Sequence, residues 1–130
     1  MHDELQNKYV RALADYQNLE KRLFTSLEQA RNTTKKEILE KFIGILDDLE
    51  KAEVFIQDAG LRMIMDRFNA LLTECGVQEI QVLGTEYDPY VAEALEMVDG
   101  DTPNMVADVI RKGYRMGDTV IRPAQVKVTR

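Results

Sequence analysis

Tryptophan is absent from this 130-residue chain, and aromatic residues make up only 7% of it. A deep aromatic-lined ligand pocket is therefore not expected. There is one histidine, His2, and one cysteine, Cys75. Nucleophilic catalysis needs a base within reach of its nucleophile. His2 stands at a fraying terminus, and Cys75 falls on the apolar face of a helical pattern, so neither suggests a catalytic pair. A lone cysteine makes no internal disulfide and gives no zinc spacing, which suits a reducing, cytoplasmic compartment. No apolar run approaches the ~20 residues of a membrane span, and the opening residues carry no leader-like apolar stretch. Phosphate-cradling glycine motifs are missing. The net charge is -6, and no Lys/Arg cluster stands clear of neighbouring acids, which argues against nucleic-acid binding. The expectation is a protein that is not an enzyme and needs no cofactor.

Breakers are also scarce in the first half. From Asp3 to Asp58 there is no proline and one glycine, Gly44, while apolar residues recur at helical spacing. An unbroken helix of ~55 residues would run ~80 Å. The rest of so small a chain cannot cover it, so a second copy is the simplest cover. Leu5, Tyr9, Ala12, Tyr16, Leu19 and Leu23 form a narrow seam of the coiled-coil kind, which lapses at Ser26, Thr33 and Thr34. Ile38, Phe42, Ile45, Leu49, Ala52 and Ile56 continue it, with Leu39, Ile43 and Leu46 as a second stripe beside them. A face this wide needs more than one neighbour.

Asp58-Ala59-Gly60 breaks the pattern, and Leu61, Ile64, Phe68, Leu71, Leu72 and Cys75 then line a second helix that stops at Gly76. Two such helices from each of two chains make a four-helix bundle. The alternative, an intramolecular hairpin in a monomer, leaves the N-terminal seam uncovered. Asp47, Asp48 and Glu50 read as a solvated helix face, with Lys51 as partner to Asp47.

After Gly76 the period changes. Val77, Ile80 and Val82 form a β-prone run, and Val91 to Val98 fits either a helix or a strand. Asp99 to Asn104 is dense in turn residues and lacks the spacing of a calcium loop. Met116-Gly117-Asp118 reads as a hairpin turn, and Thr119 to Thr129 is rich in β-formers around Pro123. The expected fold class is α+β, with 1–76 as dimerising helices and 77–130 as a small domain of three or four strands.

Several segments are specific. Tyr87-Asp88-Pro89-Tyr90-Val91-Ala92-Glu93-Ala94, Lys112-Gly113-Tyr114-Arg115 and Val120-Ile121-Arg122-Pro123-Ala124-Gln125-Val126-Lys127-Val128 resemble the signature of the GrpE family. In the helices, Tyr9 to Asn18 and Ile45 to Ala52 look like that family's two helix motifs. Ala92 stands where the family commonly has histidine, Tyr87 where Phe or Leu is usual, and Gly44 where proline is frequent.

The resemblance implies a homodimer with parallel paired helices, a four-helix bundle and two β domains. It also implies a partner, the nucleotide-binding domain of a DnaK-type chaperone, from which such factors release ADP. Partner-contacting positions carried over from the family fall on Val54, Phe55, Gly60, Tyr87, Ile110, Thr119 and Val128. Val54 and Phe55 can equally finish the bundle face, Gly60 can serve as a helix-start glycine, and Ile110 and Val128 can be core. Thr119 stands where some members place an arginine. Asp88, Pro89, Gly113, Tyr114 and Arg122 are expected to shape turns and strands. Without the resemblance, the residues equally suit a dimeric coiled-coil scaffold whose β head binds another protein.

Overall fold

The computed structural model describes all 130 residues. Helix α1 runs from His2 to Phe55 and helix α2 from Ala59 to Glu74. Six strands follow: β1 (Val77–Glu79), β2 (Ala92–Val98), β3 (Val106–Arg111), β4 (Tyr114–Met116), β5 (Thr119–Arg122) and β6 (Ala124–Thr129). The class is α+β, and no helix is long and apolar enough to cross a membrane.

Gly44 leaves α1 unbroken, because glycine costs a helix only about 1 kcal/mol where proline would remove a hydrogen bond. Asp58 caps α2, its carboxylate accepting from the Gly60 N–H at 3.0 Å. Gly76, at φ +81°, lets the chain leave α2 in the left-handed conformation that a side chain would oppose. Gly117, at φ +59°, does the same in the β4–β5 hairpin.

The chain divides within α1 into two compact units, Met1–Glu37 and Ile38–Arg130. The first is helix alone and buries none of its apolar side chains. The second contains two three-stranded sheets. One has the order β1-β4-β5 and is antiparallel. The other has the order β2-β6-β3, with β6 parallel to β2 and antiparallel to β3. Six strands replace the three or four expected, since β1 and β4, at three residues each, are too short to show alternation. The apolar run around Val91 to Val98 is a strand.

Each sheet has its own core. Leu39, Ile43 and Leu46 of α1 and Leu72 of α2 pack with Val77, Tyr114 and Ile121 of the first sheet. The second core holds Ile80, Val82, Ala92, Val106, Ala124, Val126 and Val128, with no helical residue among them. The stripe Leu39-Ile43-Leu46 thus finds its neighbour in the β region. Pro123 lies between β5 and β6, where the chain passes from one sheet to the other. A residue without an N–H suits that crossing, where neither ladder needs a donor.

Candidate partner-binding surface

The end of α1 and strand β3 enclose a groove of about 480 Å³. Val54 and Ile110 both line it, with Asp47, Glu50, Arg111 and Lys112 among the polar residues around them. Val54 is 74% exposed and Ile110 49%, so apolar surface is open to solvent on both elements. Val54 also lines a second hollow with Glu53, Gln57, Asp58, Ala59 and Arg62, at the turn between the helices. There Arg62 of α2 pairs with Glu53 of α1. Phe55 is 87% exposed beside it, and Gly60 occupies the capped first turn of α2.

The other expected contact residues do not line the groove. Tyr87 is half-buried against the second core. Thr119 is exposed at the start of β5. Val128 is 2% exposed within that core, as its alternative reading as a core residue has it. Of the expected dimerising residues, Leu5, Tyr9, Tyr16, Leu19, Leu23, Ile38, Phe42 and Ile45 are exposed apolar side chains. Ala12 is exposed as well, and Leu49 is half-buried.

The acidic turn of α1 is not the solvated face expected from the sequence. Asp47 has no pair with Lys51. Instead the buried Arg122 donates from Nη2 to its Oδ1 at 2.8 Å and from Nη1 to its Oδ2. Arg111 brings its Nε to 3.7 Å from the same Oδ2, and Lys112 Nζ lies 3.1 Å from Glu50 Oε1. Arg122 Nε donates to the Lys112 carbonyl at 2.8 Å, and its guanidinium stands 5.4 Å from the Tyr114 ring centre. One signal in the sequence points to this arrangement. Asp47 lies four residues beyond Ile43, and Glu50 four beyond Leu46, so both extend the buried stripe by a turn.

Burial raises the Tyr114 phenol above its ordinary pKa, and the carboxylates of Glu50, Glu79 and Asp47 push it the same way against Arg122. The other signature residues are structural. Asp88 accepts the Tyr90 N–H at 3.0 Å in an Asx turn, and Gly113 lies against Ala124 while its carbonyl accepts from Ile80 N at 2.8 Å.

A family model described as GrpE matches residues 2–130. Protein GrpE of Protochlamydia amoebophila is 35% identical over 138 residues, covering 98% of this chain and 65% of the relative. Protein GrpE of Meiothermus ruber is 35% identical over 128 residues, covering 94% of this chain and 72% of its own. Protein GrpE of Thermus thermophilus is 35% identical over 130 residues, covering 95% and 73%. The chain therefore spans about two thirds of the length of the first of these relatives. With its motifs in order along two helices and two small sheets, the chain belongs to the GrpE family.

Proposed function

We propose that this protein is a nucleotide exchange factor that binds the nucleotide-binding domain of a DnaK-type chaperone and promotes ADP release. Membership of the GrpE family over residues 2–130 carries this reading. The physical requirement is differential affinity. The factor binds the open, nucleotide-free state more tightly than the closed, nucleotide-bound one, so nucleotide must in turn weaken the complex.

In this reading 1–76 dimerises and 77–130 meets the chaperone, together with the end of α1. The working unit is a parallel homodimer, with a coiled coil along the N-terminal seam and a four-helix bundle nearer the sheets. The exposed seam from Leu5 to Leu23 supports the pairing, since an apolar stripe this long favours a cover. Val54, Phe55, Gly60, Tyr87, Ile110 and Thr119 are the proposed contacts, and the Val54–Ile110 groove is the most concrete part of that surface. The protein acts by binding rather than by catalysis.

The test is the release rate of labelled ADP from the cognate chaperone, with and without this protein. Acceleration that saturates with concentration is expected. No acceleration at saturation, with capture of a different partner, would favour the scaffold reading instead.

A further inference from the structure

The two sheets are attached to α1 in different ways. The first shares an apolar core with it, through Leu39, Ile43 and Leu46. The second, which carries Ile110, has a core drawn wholly from residues 80–128. What reaches the exits of the second sheet from α1 is ionic. Asp47 takes Arg122, the last residue of β5 in the first sheet and next to the crossing at Pro123, and Arg111, the last residue of β3 in the second. Glu50 takes Lys112, the next residue, whose carbonyl is itself held by Arg122.

The Asp47–Arg122 contact is directional, and the Glu50–Lys112 bond adds a second point of attachment one turn along α1. Two parallel bonds between a guanidinium and a carboxylate fix a plane as well as a distance, which an apolar contact does not. Ile110 directly precedes the clasped pair Arg111-Lys112, and Val54 lies one helical turn beyond Glu50. The clasp therefore lies at the hinge of the groove, with Val54 on one lip and Ile110 on the other.

We propose that Asp47 and Glu50 are positioning residues that set the angle of the second sheet on α1, and with it the spacing of Val54 and Ile110. This rests on the exchange-factor reading, in which the chaperone docks across that groove. The carboxylates act through Arg111, Lys112 and Arg122, and the interlabel distance in the free protein reads that role apart from any contact they make with the partner. If loosening the clasp leaves the docking angle populated a tenth of the time, affinity falls about tenfold.

The test uses the full-length dimer carrying spin labels at Asp48 and Ala107, placed through cysteines in a Cys75→Ser background. Labelled chains are diluted with unlabelled ones, so that distances are read within one protomer. Glu50→Gln and Asp47→Asn should broaden the label distance distribution and weaken binding to the nucleotide-free chaperone about tenfold, with cooperative unfolding of the β region retained. The swap Glu50→Lys with Lys112→Glu should restore both, which a purely destabilising change would not. Should Asp47→Asn fail to fold, Glu50→Gln and the swap carry the test.

A distribution as narrow in Glu50→Gln as in the parent overturns the proposal. So does a broadened distribution with unchanged affinity. A parent protein that fails to accelerate ADP release defeats the exchange-factor reading alone, because the distances still decide whether the carboxylates set the angle.

Discussion

Gly113 lies so flat against Ala124 that a Cβ built on it would stand 2.9 Å from the Ala124 Cα. The neighbour is backbone at the start of β6, the central strand of the second sheet, and it cannot swing aside. Gly113 also joins β3 to β4, and so one sheet to the other. Close approach, and not a left-handed turn, is what demands glycine here.

Gly113→Ala should therefore destabilise the β region by about 1–3 kcal/mol, as overpacking does where the surroundings are rigid. Urea unfolding followed by a β-region probe would show the midpoint falling with little change in slope. An unchanged midpoint would mean that the two strands separate freely.

Ile110 and Val128 were equivalent in the sequence and differ in the structure. Val128→Ala should cost about 2 kcal/mol of stability, because it removes buried methyl groups from a closed core. Ile110→Ser should leave stability within about 0.5 kcal/mol, as for an exposed position, and should weaken chaperone binding. Thermal unfolding and binding titrations on both variants separate the two roles. An Ile110→Ser variant that binds as tightly as the parent would remove that residue from the contact surface.

The helices were legible because one period repeats over many turns and the breakers stand only at the ends. Asp58, Gly76 and Gly117 could be placed because each meets a local backbone need. The strands were harder to read. In β2 only Ala92 is buried, while Leu95 and Met97 are exposed, and the register shifts between Ala94 and Glu96, so alternation is lost. The Asp47–Arg122 pair joins residues 75 positions apart, beyond any local pattern. Family resemblance placed Val54 and Ile110 on the candidate surface, and only the fold shows that they face one groove.

Tyr114 carries an alkaline signature. Its phenol pKa is raised in the fold, chiefly by burial, from an ordinary value of 10.0. The folded state thus holds that proton more tightly than the unfolded chain does. Its contribution to stability is fully present below the unfolded pKa and is lost as pH rises through the folded one. Stability should decline above about pH 10, and phenolate absorbance should show a late step coinciding with unfolding. Tyr114→Phe should abolish that step. A late step that persists in the variant would assign it to another tyrosine.

The segment Met1–Glu37 should be the first to melt. It buries no apolar side chain of its own, so its helix depends on whatever covers the seam. That seam contains Ala12 and lapses at Ser26 and Thr33, which reduces the burial available to a paired helix. The unit Ile38–Arg130 has two closed cores of its own besides whatever covers its exposed helix faces. Heating should therefore give a first transition, seen as loss of helicity, before the β region unfolds. If pairing with a second copy supplies the cover, the first midpoint should rise with protein concentration, because separation of two chains follows mass action. Calorimetry and circular dichroism at several concentrations would show this. A single concerted transition independent of concentration would mean that the seam is stabilised within one chain.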